Sequence, residues 1–295
     1  MRFIEKLYSF VPPFLRRRVS SFLRQRRFKK LKKTKPITKQ DILNDLKKLG
    51  LKEGDIVLVH SSLSAIGYVE GGADIVIDAL LEAVGPSGTI LMPAFPLPGT
   101  MLDYAKTNPL FDPKNTPSCM GEITEVFRRR KGALRSLFPT HSVAAIGPHA
   151  EYLLKDHEKD QVQCGKHSPF FKLIGLDGYI MLLGAWVNVL TSFRVLDCTV
   201  DNFPVRTHLD EPVPLRYLDY AGVEHTILVK VDNPAEAKNR ITDNVKKQNE
   251  IYNYLLKYGC LKTGKVGHAK TYLIRAKALQ EVLEKLLARG ITIYK

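Results

Sequence analysis

The chain reads as an α/β fold: a mixed, largely parallel central sheet with flanking helices and a smaller α+β C-terminal part. Three observations predict it. "DIVLV" (55–59) and "TILMPAF" (89–95) are short, continuous apolar runs, the pattern of strands buried on both faces. Between them, "GGADIVIDALLEAVGPSG" has helical spacing, and the order strand–helix–strand favours parallel pairing through a crossover. From about 209 to 231 the pattern turns strand-like, with a hairpin around Ala221-Gly222.

Residues 36–50 are expected to form a helix capped by Thr38, with Ile42, Leu43, Leu46 and Leu49 as its apolar stripe. The helix between the first two strands should bury Ile75, Ala79, Leu80 and Ala83 and end at Gly85-Pro86. "MGEITEVFRRRKGALRS" reads as a further amphipathic helix and its exit. "HSVAAIG" is a short strand, and "GYIMLLGAWVNVLTSF" a strand followed by a loop. Ser168 and Pro169 are placed to cap and open a helix. Residues 235–258 and 275–289 look helical.

Composition narrows the class. Hydrophobic residues make up 44% and charged residues 25% of the 295, which suits a globular protein with a sizeable core. The net charge of +15 is uneven: residues 1–35 hold thirteen Lys or Arg and one acid, Glu5. The domain reading is therefore a basic leader, 1–35, before a folded body, 36–295. In the leader Leu15, Val19, Phe22 and Leu23 fall on one helical stripe, as for a helix lying on an anionic membrane surface. A helix docked on its own domain or on a neighbouring subunit fits the same pattern, and an oligomer stays open. Nucleic acid is not expected, because the body offers no basic aromatic platform. Cys119, Cys164, Cys198 and Cys260 are too widely spaced for a zinc site or a disulfide scaffold, so no metal, reduced thiols and a cytoplasmic setting are expected.

Two segments can carry chemistry. His60-Ser61-Ser62 ends the first strand, where hydroxyls and backbone N–H groups can seat an anion or a carbonyl. A helix cap fits this spacing too; a nucleophile does not, since no G-x-S-x-G elbow surrounds it. In "RSLFPTHSVAAIG" (135–147), Arg135 offers a planar fork for phosphate, and His141 is the natural general base or else a hydrogen-bonded structural histidine. Further on, Gly267 permits close approach of a ligand or simply makes a turn.

Taken together, "LVHSSLSAIGYVEGGADIVIDALLEAVGPSGTILMPAF", "FDPKNTPSCMGEITEVFRRRKGALRS", "PTHSVAAIGPHA", "HSPFFKLIGLDGYIMLLG" and "KTGKVGHAKTYLIRAKAL" resemble the aminoglycoside 3-N-acetyltransferase family from about residue 38 to 292. The resemblance implies a two-part α/β fold that binds acetyl-CoA in a cleft and acetylates an amine. It places His60, Ser61, Ser62 and Leu63 along the pantetheine or phosphates. Arg135, Ser136, His141, Ser142 and Val143 look like the other wall, with Gly267 also near the cofactor. Active members carry their base as the His of a T-x-x-H-x-x-E pattern. Here Thr191 and Ser192 stand, but Arg194 takes the His position and Asp197 the Glu position. Phe138 likewise replaces a His common in "R-S-x-H-P". Arginine cannot be a base at neutral pH.

The catalytic set is therefore read as His141, Arg194 and Asp197. The base has moved to His141 or to a residue such as Asp197, and Asp232 or Asp243 is the orienting carboxylate. Alternatively, Arg194 grips an anionic part of a different acceptor. The expected function is acetyl-CoA-dependent N-acetylation of a small-molecule amine, an amino sugar that is aminoglycoside-like or a surface-glycan precursor. A catalytically inactive CoA-binding or scaffold protein of the same fold is the alternative. The expected location is cytoplasmic, peripheral to the membrane if the leader binds it.

Overall fold

Thr38 opens the first helix, α1 (Lys39–Leu49): its hydroxyl accepts from the Asp41 backbone, and the Asp41 carboxylate reaches back to the Thr38 N–H. Along the chain follow β1 (Ile56–Ser61), the short α2 (Leu63–Ile66), α3 (Gly72–Val84) and β2 (Thr89–Pro93). Then come α4 (Met101–Lys106), β3 (Leu110–Phe111), α5 (Glu122–Phe127), β4 (Leu134–Arg135) and β5 (Val143–Ile146). The next elements are α6 (Ala150–Leu154), α7 (Pro169–Gly175) and β6 (Tyr179–Leu183). Two 3-10 turns, Val187–Val189 and Thr191–Phe193, lead into α8 (Arg194–Thr199). The chain closes with β7 (Val213–Leu218), β8 (Glu224–Val229), α9 (Pro234–Ala237), α10 (Val245–Lys257), β9 (Leu261–Val266), β10 (Ala269–Arg275) and α11 (Ala276–Leu287). The computed structural model describes residues 35–294 apart from Lys238 and Asp243. The leader, with its membrane-surface and docking readings, lies outside the described residues save Lys35.

Seven strands form one mixed sheet in the order β4-β5-β2-β1-β6-β10-β9. The parallel pairings are central: β1 lies beside β2 (Leu58 opposite Leu91) and β6 (Val59 opposite Met181). The flanks are antiparallel. β7 and β8 form the expected hairpin and, with β3, a second three-stranded sheet. β1 is buried on both faces, which is why its sequence does not alternate. Val57 and Val59 pack with α1 and α3, whereas Leu58 joins the core shared with α7 and α11.

Local signals explain most boundaries. Ser168 caps α7 through its hydroxyl with Pro169 in the first turn, as expected. α3 stops at Gly85, whose φ of 63° an L side chain tolerates poorly. Its buried face is broader than predicted: Val76 and Ile77 turn fully inward while Ile75 is only half-buried. The helix expected over 235–258 is two helices. Between them Ile241 N–H bonds Ile293 C=O, and Asn244 caps a fresh start at Val245. The break places Arg240, half-buried, between the two helices.

Candidate active site

A cavity of about 480 Å³ opens beyond the carboxyl ends of β1 and β2, where the ends of parallel strands and their loops converge. His60, Ser61 and Ser62 form one wall and Pro93 and Phe95 the floor beyond β2. His141 faces in from the loop before β5. The chain from Asn188 to Leu190, then Thr191, Phe193 and Arg194, and Arg240 to Thr242 also line it.

His60 sits opposite Leu182 of β6, which fixes its place at the strand end. It is 7% exposed, and its buried Nε2 meets no described hydrogen-bond partner. Burial lowers its pKa to about 4, so the ring is neutral at physiological pH. Ser62 occupies the cap position of α2, yet its hydroxyl makes no capping bond. The spacing that allowed a cap thus leaves the side chain available to the cavity. An orphaned ring nitrogen costs about 1–3 kcal/mol unless a ligand or water satisfies it, which suits a polar ligand here.

His141 lies against the Phe95 ring, centroids 4.4 Å apart, and its Nδ1 is 3.2 Å from Thr140 Oγ1. Burial lowers its pKa to about 3; Arg194, Arg240 and His208 push the same way and Asp232 opposes them. Donation from Nδ1 to Thr140 Oγ1 would leave the Nε2 lone pair unprotonated.

Behind the cavity lies a charge network that crosses the sequence. Arg194 Nε donates to Asp197 Oδ2 at 2.7 Å, and its Nη1 to Asp232 Oδ1 at 3.0 Å. Its Nη2 donates to His208 Nε2 at 3.3 Å. Arg240 Nη1 meets Asp232 Oδ2 at 2.9 Å, and the Tyr294 hydroxyl donates to Asp197 Oδ2. Burial opposes the charge on Asp232, but Arg194 and Arg240 overcome it and hold the carboxyl well below the usual range. Arg194 is likewise kept charged against burial by Asp197 and Asp232. His208 is held neutral, with a pKa of about 4, by burial and Arg194.

The expected site residues divide accordingly. The cavity gathers His60, Ser61, Ser62, His141 and Arg194. Asp197 is bound on the far side by Arg194 and Tyr294, with its side chain 1% exposed, so it cannot reach an acceptor amine. Arg135, Ser136, Ser142 and Val143 do not line the cavity. The Arg135 guanidinium lies over the Phe111 ring at 4.8 Å and donates to Ser142 Oγ and to the Thr116 and Ala94 carbonyls. Ser136 Oγ accepts from Val143 N–H and bonds His157 Nδ1, while Val143 is fully buried in β5. Leu63 packs against the core under α1 and α3. Gly267 makes the β9–β10 turn, its N–H on Asp45 Oδ2, beside a separate shallow groove. Asp243 lies outside the described residues; among those described, Asp197 and Asp232 both meet Arg194. The sequence reading did not single out His208, Arg240 or Tyr294. A polar loop, an apparent helix and the chain end carry no local signal of convergence. Among the described residues no cluster of His, Cys, Asp or Glu could hold a metal ion, and no helix is long and apolar enough to cross a membrane.

This fold, with a cavity at the His-Ser-Ser strand end, defines an α/β protein with a small-molecule-sized pocket beyond its parallel strands. The chain belongs to the aminoglycoside 3-N-acetyltransferase family, whose model matches residues 58–288. It is 32% identical over 266 residues to aminoglycoside N(3)-acetyltransferase IX of Micromonospora chalcea, covering 82% of this chain and 90% of that one. It is 39% identical over 180 residues to the SPbeta prophage-derived aminoglycoside N(3')-acetyltransferase-like protein YokD of Bacillus subtilis, covering 56% of this chain and 66% of that protein. The crystal structure of aminoglycoside acetyltransferase AAC(3)-Xa superposes with a TM-score of 0.73 at 30% identity, over 90% of this chain and 95% of the other.

Proposed function

We propose that the chain is an acetyl-CoA-dependent N-acetyltransferase of an amino sugar, aminoglycoside-like or a surface-glycan precursor, with His141 as the general base. The observation that carries this reading is one cavity flanked by a neutral His141 and by the His60-Ser61-Ser62 strand end. Family membership supports acetyl-CoA as the donor. His60 Nε2 and the Ser61 and Ser62 hydroxyls are the groups that would hold its thioester arm.

The reaction asks little more of the protein. As the acceptor nitrogen bonds the acetyl carbon, its proton passes to His141 Nε2. The carbon–sulfur bond breaks, and the proton goes on from His141 to the departing thiolate. A positioned base is worth roughly 10²–10⁴-fold when its pKa lies near the working pH, and burial holds His141 below that. Arg194 and Asp197 position rather than react: together with Asp232 they fix the part of the wall that Arg194 lines.

Thiol release from acetyl-CoA on adding amino sugars tests the reading. Turnover that falls at least 100-fold in His141→Gln, with CoA affinity retained, supports it. Turnover unchanged in that variant removes His141 as base. The binding-only alternative draws on Arg194 standing where active relatives keep their base. It predicts saturable CoA uptake with no thiol release.

A further inference from the structure

The guanidinium groups of the cavity wall bear on the acceptor. Among its described lining residues are two arginines, Arg194 and Arg240, and no aspartate or glutamate. Among the described residues, two carboxylates pair with those arginines and are already engaged. Asp232 gives Oδ1 to Arg194 and Gln163 and Oδ2 to Arg240, while Asp197 is shared by Arg194 and Tyr294. An ammonium group entering the cavity would meet guanidinium edges instead of carboxylate oxygens. Aminoglycosides carry several ammonium groups, for which the described lining supplies no carboxylate partner.

The two arginines differ in what they can offer. Arg194 is 8% exposed and is engaged through all three of its nitrogens. Arg240 is 22% exposed and reaches Asp232 through Nη1. Its planar fork is thus the more open donor surface on this wall, and it stands close enough to His141 to depress its basicity.

We infer that the acceptor is an amino sugar bearing an anionic group, phosphate or carboxylate, that docks on Arg240 and so places the amine beside His141. This rests on the acetyl-transfer reading above and specifies its acceptor. Anion docking would also offset the Arg240 charge, a lesser cause than burial of the low basicity of His141.

The test compares glucosamine 6-phosphate, glucosamine and kanamycin as acceptors, by thiol release and by calorimetry on the CoA-saturated protein. The expected result is a kcat/KM for the phosphorylated sugar at least tenfold above that for glucosamine, with kanamycin poorest. Arg240→Gln should erase most of that margin through KM, Arg240→Lys should keep part of it, and added salt should shrink it in the wild type. Equal use of both sugars, preference for kanamycin, or a margin untouched in a folded Arg240→Gln protein would overturn the inference while leaving acetyl transfer standing. Conversely, phosphosugar binding that depends on Arg240, with no thiol released from any acceptor, would uphold the anion site and overturn acetyl transfer. Should Arg240→Gln fail to fold, the Lys variant and the salt series decide.

Discussion

Replacing Asp232 by Asn isolates the charge network on which the cavity's rear wall depends. In the wild type its carboxylate meets Arg194 at 3.0 Å and Arg240 at 2.9 Å, with its side chain 14% exposed. Asn keeps the shape but loses the charge, and one of its two positions becomes an N–H facing a guanidinium. Breaking a buried pair costs about 3–5 kcal/mol, because the partner is left charged and unpaired. Arg194 keeps Asp197 and Arg240 is partly wet, so the low end, about 3 kcal/mol, is expected. For a chain of this size that lowers Tm by roughly 6–12 °C. The assay is urea unfolding at pH 7.5, with Asp210→Asn as control. Asp210 pairs with Arg206 in the open, its side chain 75% exposed, and such pairs are worth about 0.5 kcal/mol or less. The Asp232 carboxyl titrates lower in the folded than in the unfolded chain. Its contribution is therefore present above the ordinary carboxylate pKa and fades as the pH falls below it. A loss in Asp232→Asn no larger than in the control, at equal m-value, would refute the reasoning.

Other predictions follow the same logic. Acid should destabilise the fold before the carboxylates titrate. Burial depresses His157 to about 3 and His60 to about 4, so their stability is full above the unfolded value near 6.5 and falls away below it. Each costs about 2 kcal/mol at pH 5, and a flat stability between pH 7 and 5 would contradict this. Ser62→Ala should change stability by less than about 0.5 kcal/mol, since no cap bond is lost, while weakening CoA binding measured by calorimetry. The reverse pattern would make Ser62 a cap after all. Gly184→Ala should lower both thermal stability and CoA affinity: φ is 69°, and an added Cβ would come within 2.5 Å of Ala65 Cβ, displacing α2 from the strand end.

What the sequence conveyed was local. The Thr38 box, the Ser168-Pro169 start, the first strand–helix–strand unit and the β7–β8 hairpin each rest on neighbouring residues, and each stands in the structure. The site was legible at His60-Ser61-Ser62, His141 and Arg194, which all line the cavity. Arg135 looked like a ligand fork, but β4–β5 pairing sets it opposite Ala144 and the fold turns its guanidinium onto Phe111 and backbone carbonyls. No pattern along the chain records such a register. Arg240 fell inside an apparently continuous helical periodicity, and its meeting with Arg194 across Asp232 is a tertiary fact. Phe138, seen only as a missing histidine, stacks on the His157 ring with centroids 4.6 Å apart.

Transfer of an isotopically labelled acetyl group from acetyl-CoA to an amino sugar, with the product's linkage assigned by NMR, tests the central claim most directly. The account predicts label on the sugar nitrogen, one CoA thiol freed per acetyl transferred, and loss of both in His141→Gln. Saturable CoA binding with no labelled amine from phosphorylated, neutral or polycationic sugars would contradict it.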